Sequence, residues 1–229
     1  MPDLPLTPPP TAQPPIQLSH QEMGDIYIAR RRYQAALKEY KVVKPPNSGS
    51  WNGMGVAYQM LYDTKDALHC YKQAVRLDHK NVRALNNLGT IYDSLKDYGK
   101  GERYYRQALK VDPQSATALK NLGTNLLLQH KDKEGQEFYR RSLAADPEIF
   151  SEDRGAPVAA TSAPVSDLGK ANYQKARSCA RAGIIDCALT NLHRALNEGV
   201  ATLKMVLTEH DFDPIRKTPE FQRLLAYSK

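Results

Sequence analysis

Residues 85–113 read LNNLGTIYDSLKDYGKGERYYRQALKVDP. Leu85, Leu88, Ile91 and Tyr92 recur at helical spacing. After the turn signal Asp97-Tyr98-Gly99, so do Tyr98, Tyr105, Ala108 and Leu109. The stretch predicts two amphipathic helices joined by a tight turn, and it is one of a series. Met23-Gly24-Asp25-Ile26-Tyr27, Met54-Gly55-Val56-Ala57-Tyr58, Leu88-Gly89-Thr90-Ile91-Tyr92 and Leu122-Gly123-Thr124-Asn125-Leu126 share one pattern, with glycines 31, 34 and 34 residues apart. Tyr40, Tyr71, Tyr105 and Tyr139 form a second column at the same intervals, and Ala36, Ala67, Gly101 and Gly135 a third. Glycine costs roughly 1 kcal/mol in a helix interior. Its recurrence there implies that two helices cross too closely for a side chain, with the aromatic column filling the space beside the contact.

Taken together, the period of 34, the series Trp51, Met54-Gly55, Tyr58, Ala67, Tyr71, Ala74, and the closing Asp112-Pro113 and Asp146-Pro147 resemble the tetratricopeptide repeat family. The resemblance covers residues 17–149 as about four units. It implies an all-α, right-handed α-solenoid of antiparallel helix pairs whose first helices line a concave groove. The first unit departs from the pattern: it is three residues short and ends in Lys44-Pro45-Pro46-Asn47-Ser48-Gly49-Ser50, where a tighter turn or a small hinge is expected.

Working outward, residues 1–15 hold seven of the 15 prolines and one charge, which predicts an extended leader. A plain spacer is the favoured reading over a ligand for an aromatic-lined groove. Residues 16–149 form the four helix pairs. Residues 150–166, rich in small residues and proline, read as a linker. Residues 167–229 read as a degenerate fifth pair, with Gly183 at its turn, followed by two short helices, the second opened by Thr218-Pro219-Glu220. The stretch from Ala188 to Phe221 looks like the module that closes some bacterial tetratricopeptide arrays, where it would cover the open apolar end.

Composition excludes several classes. At 41% hydrophobic and 25% charged the chain is near globular averages. No stretch approaches the ~18 consecutive apolar residues of a membrane span. Met1-Pro2-Asp3-Leu4-Pro5 has neither a basic start nor an apolar run, so as written it is no secretory signal, and the cytoplasm is the default location. A mature form cut from a longer precursor would look the same. The three cysteines, Cys70, Cys179 and Cys187, form no Cys-x-x-Cys pair, so neither a disulfide framework nor a zinc site is expected. Cys179 and Cys187 fall in successive helices and could meet, but two small buried core residues are the favoured reading. The six histidines make no metal pattern, and no phosphate loop or nucleophile elbow occurs. Glu209-His210-Asp211 reads as surface or cap chemistry. No cofactor, metal or enzymatic activity is expected.

The expected functional surface is the concave groove, and the expected partner a peptide or segment of another protein. Asn52, Asn86 and Lys120 stand three residues before the glycine column, Asn87 and Asn121 two before it, and Thr124 one after it. Amide side chains both donate and accept, so such a strip can grip the backbone of an extended peptide. Asn87 and Asn121 resemble two rungs of the asparagine ladder in the O-GlcNAc transferase family, a ladder broken here by Glu22 and Gly53. The alternative is a pair of solvated surface asparagines. The carboxylate clamp of chaperone-binding tetratricopeptide domains lacks its basic pairs here, so that mode is not expected. Arg83 and Lys120 could attract acidic groups, and Leu127 and Leu128 could add apolar pockets.

The net charge is +7, from 32 Lys and Arg against 25 Asp and Glu. Arg30, Arg31, Arg32, Lys38, Lys41 and Lys44 face only Glu39 over residues 30–44. A solvated end face is the favoured reading of this patch. The alternative is a docking patch for an acidic protein, anionic lipid or nucleic acid; a further alternative, for the chain as a whole, is an accessory or regulatory subunit of an enzyme complex. Nucleic-acid binding is the weaker case, because Tyr33 and Tyr40 fall in the repeat's own packing columns.

Overall fold

The computed structural model describes residues 17–150 and 165–227. Eight helices form four antiparallel pairs: α1 (His20–Ala29) with α2 (Tyr33–Val42), α3 (Ser48–Met60) with α4 (Thr64–Leu77), α5 (Val82–Ser94) with α6 (Tyr98–Val111), and α7 (Ala116–Leu128) with α8 (Asp132–Ala145). A fifth pair, α9 (Val165–Arg181) and α10 (Ile185–Asn197), is followed by α11 (Leu203–Thr208), a 3-10 turn at His210–Phe212 and α12 (Pro219–Tyr227). All regular elements among the described residues are helical. The expected leader, and all of the expected linker except Phe150, Val165 and Ser166, lie outside them.

Local chemistry sets the helix ends. Ser19 and Glu22 form a capping box, as do Asn47 and Ser50, while Asp63, Asn81 and Asp97 each accept a backbone N–H in the first turn. Each hairpin turns through one residue at positive φ: Arg31 (56°), Tyr62 (62°), Lys96 (61°), His130 (60°) and Gly183 (74°). Only the fifth uses glycine, which explains why the sequence marks that turn more clearly than the others.

The columns read from the sequence meet in space. Tyr40, Tyr71, Tyr105 and Tyr139 are essentially inaccessible, and each lies on the glycine of its own unit. A Cβ at Gly123 would come within 2.5 Å of the Tyr139 ring and 3.0 Å of the Gly135 carbonyl oxygen, so α7 and α8 touch backbone to backbone. First helices also contact one another in succession, α1 with α3, α3 with α5, α5 with α7 and α7 with α9. They form the inner layer of the solenoid, and α2, α4, α6 and α8 the outer one.

In the last segment, Phe212 and Phe221 are fully buried and join Tyr173, with ring centroids 6.0 and 5.9 Å apart along the series. Arg177 and Arg181 on α9 both donate to Asp211, tying the 3-10 turn down. Leu143 and Ile149 share this core, so the last pair packs on the fourth.

One expectation is corrected. Cys179 and Cys187 are buried, as read, but they are bonded to each other across the Gly183 turn, with Cα atoms 5.8 Å apart. The helical hairpin itself brings them together, because both face inward at neighbouring levels of α9 and α10. Cys70 is free and buried, and desolvation pushes its thiol up to about 12. Denatured, unreduced protein should therefore titrate with one thiol per chain rather than three. Reduction, or the double change Cys179→Ala and Cys187→Ala, should lower stability by about 2–3 kcal/mol in urea unfolding, the loop-closure value for so short a loop.

Candidate functional site

The inner layer bounds a cavity of about 520 Å³. Asp25 and Ile28 come from α1, Asn52 and Val56 from α3, Val82, Arg83, Asn86 and Asn87 from α5, and Ser115 and Thr117 from the start of α7. Its floor is amide chemistry. Asn87 Nδ2 donates to Asn52 Oδ1 at 3.0 Å, and Asn121 Nδ2 donates to Asn86 Oδ1 at 2.9 Å. Each bond runs from the position two before the glycine to the position three before it in the preceding unit. The asparagines are thus oriented by one another across units, and each still has hydrogen-bonding capacity beyond that one bond.

The breaks in this ladder have physical causes. A Cβ at Gly53 would strike the Tyr40 ring, because Tyr40 crosses that space to donate its hydroxyl proton to Asp25 at 2.6 Å. Glu22 is occupied in the capping box with Ser19, which holds its carboxyl below the usual range. Gln21 accepts from Asn47 Nδ2 at 2.9 Å and lies against Gly49 at the start of α3, rather than bonding to an asparagine of the ladder.

Four of the nine residues read as groove residues line the cavity: Asn52, Arg83, Asn86 and Asn87. Asn121 adjoins it through Asn86. Lys120 points away to the Ile149 carbonyl oxygen at 3.5 Å, and desolvation lowers its pKa. Thr124 is hydrogen-bonded to Tyr139 at 2.8 Å. Leu127 and Leu128 are buried in the core, where Leu127 packs beside Gly135, so they add no apolar pockets to the groove. Arg83 is the one cation among the lining residues, which also include two carboxylates, Asp25 and Asp112. Asp25, one after Gly24, holds in its unit the strip position of Thr124 but is not among the groove residues expected from the sequence. The signal available was the Tyr40 column, whose hydroxyl needs an acceptor once buried.

The six cations read as one basic patch are all exposed but do not form one patch. Arg30, Arg31 and Arg32 occupy the α1–α2 turn at one edge, Lys38 and Lys41 lie on α2, and Lys44 lies beyond its other end. A ten-residue helix, about 15 Å long, separates the two ends. Among the described residues no group of three His, Cys, Asp or Glu side chains is placed to hold a metal ion. No described helix is long and apolar enough to cross a membrane.

The tetratricopeptide repeat family matches residues 82–115, which span α5, α6 and the approach to α7. Comparison with curated proteins found no match. Solved structures similar to the chain include PilF of Pseudomonas aeruginosa (17% identity, TM-score 0.58, covering 91% of this chain and 96% of that one). They also include PilW, a type IV pilus biogenesis factor (18%, 0.57, 91% and 90%), and MamA (18%, 0.51, 78% and 95%). At these identities the likeness is one of fold. Residues 82–115 are a tetratricopeptide repeat, and the chain around them is an α-solenoid of the tetratricopeptide-repeat type.

Proposed function

We propose that the chain is a non-catalytic adaptor that holds a segment of a protein partner along its inner surface, across α1, α3 and α5. The observation that carries this reading is the cavity floored by the Asn52–Asn87 and Asn86–Asn121 bonds. Pre-oriented amides can meet both N–H and C=O groups of a peptide backbone, at about 0.5–1.5 kcal/mol each. Val56, Val82 and Ile28 offer apolar contact beside them, and Arg83 offers a site for one carboxylate.

The test is capture of partners by the immobilised chain, identification by mass spectrometry, and titration of the captured segment. The double change Asn52→Ala and Asn87→Ala should weaken binding by roughly tenfold, with the circular dichroism spectrum unchanged. Equal affinity would remove the cavity from the site. The Cys179–Cys187 bond supports an oxidising compartment as the place of action, since such bonds rarely persist in a reducing cytosol.

A further inference from the structure

The solenoid sorts charge by layer. The outer helices α2, α4 and α6 carry nine Lys or Arg against three Asp or Glu, while α1, α3, α5 and α7 carry two against three. Two of the three outer acids are occupied: Glu39 with His20 at 2.7 Å, and Glu102 with Arg106 and Lys131 at 2.9 Å each. Lys38, Lys41, Lys72, Arg76, Arg103 and Lys110 are exposed, and none is in an ion pair among the described residues.

The ends of the same three helices carry a second regularity. α2 closes in Lys41-Val42, α4 in Arg76-Leu77 and α6 in Lys110-Val111. The aliphatic member is exposed each time: Val42 by 50%, Leu77 by 52% and Val111 by 41%. Outer helices of successive antiparallel pairs run in the same direction, so these three ends share one edge of the solenoid. Lys44 and Lys80 follow on that edge, against Asp78 and Asp112, and Asp112 also lines the inner cavity. The row stops at α8, which ends in Ala144-Ala145 and is followed by Asp146 and Glu148.

We propose that this edge, formed by the C-terminal ends of α2, α4 and α6, docks on an anionic lipid bilayer. The argument is complementarity of two kinds. Cations near an anionic bilayer gain about 1 kcal/mol each, a gain that a nucleic acid or an acidic protein could also supply. Three aliphatic side chains, each held beside a cation, fit a surface with an apolar layer just beneath its charge. A phosphodiester backbone offers no such layer. At the opposite edge the pairing occurs only once among these three turns, as Leu95 beside Lys96; Arg30-Arg31-Arg32 has no aliphatic member, and Tyr62 stands beside Asp63.

The experiment is co-sedimentation of the full chain with vesicles of phosphatidylcholine alone and with 30% phosphatidylglycerol, at about 50 and 200 mM salt. Binding is expected to the anionic vesicles only, and to fall with salt. The triple change Lys41→Glu, Arg76→Glu and Lys110→Glu should lower partitioning on the order of a hundredfold. The triple change Val42→Ser, Leu77→Ser and Val111→Ser should lower it roughly tenfold while leaving any binding to duplex DNA unaltered. All six positions are exposed, and unchanged circular dichroism verifies folding. Absence of binding to the anionic vesicles at the lower salt overturns the proposal, as does binding that neither triple change weakens. Vesicle binding lost with the glutamates but untouched by the serines also overturns it, in favour of a general polyanion surface.

Discussion

Replacing Gly123 by leucine is expected to destabilise the protein by about 4 kcal/mol or more, enough to unfold a marginal array. At the α7–α8 crossing, the first added carbon meets the Tyr139 ring at 2.5 Å and the Gly135 carbonyl oxygen at 3.0 Å. The ring cannot retreat. Tyr139 is fully buried, its hydroxyl is held by Thr124, and Phe150 packs on it edge-on at 5.1 Å. The carbonyl cannot retreat without opening the helix. Alanine at the same site should cost about 1–3 kcal/mol, although its intrinsic helix propensity favours it by about 1 kcal/mol. Gly99, near the start of α6, is the control. A Cβ there meets nothing within 4 Å, so Gly99→Ala should gain a few tenths of a kcal/mol up to about 1. Urea unfolding of the three variants checks the set. A Gly123→Ala variant as stable as the parent would show that α7 and α8 do not approach as described.

That crossing was legible from the sequence because a costly residue recurs at a fixed interval beside a recurring large one. Glycine and tyrosine at period 34 leave few other arrangements. The inner face was legible in outline for the same reason, since positions counted from the glycine share a helix face. The bonds within it were not. Which asparagine reaches which depends on the rise between units, and Gly53 breaks the ladder because of Tyr40, which is 13 residues away. Leu127 shows a further limit: its position, four after the glycine, holds Ile28, Gln59 and Asp93 in the other units, so composition does not decide whether it faces in or out. Charge sorting was hidden as well. Basic residues close in sequence separate onto an edge, an outer face and a further edge once α2 is built, while Lys41, Arg76 and Lys110 come to one edge from three units.

The same column contains the second large effect. Asp93 is buried in the third unit, where it accepts the Tyr105 hydroxyl proton at 2.8 Å and an Asn125 amide proton at 2.5 Å. In the second unit Gln59 holds that position and accepts from Tyr71 at 2.7 Å, so a neutral group meets the same need one repeat earlier. Desolvation raises the Asp93 pKa to about 7, against the lowering effect of its two donors. An unfolded aspartate loses its proton near pH 4. Between about pH 4 and pH 7 the folded chain therefore binds one more proton at this site than the unfolded chain. The stabilisation is complete below pH 4 and is lost as the pH rises through 7. Other carboxylates act in the opposite sense; Lys131, Gln129 and Arg106 hold Glu102 at about 2, for example. The contribution of Asp93 must be read as a difference between variants. Asp93→Asn keeps an acceptor and removes the titration. Relative to this variant, the parent should lose about 2–3 kcal/mol of urea-unfolding stability between pH 5 and pH 7.5. Tyr105→Phe removes the donor that favours the charged form, so it should carry the same loss to higher pH. Equal pH slopes for the parent and Asp93→Asn would mean that Asp93 is ionised in the fold at pH 5, and that the Tyr105 and Asn125 bonds offset its burial.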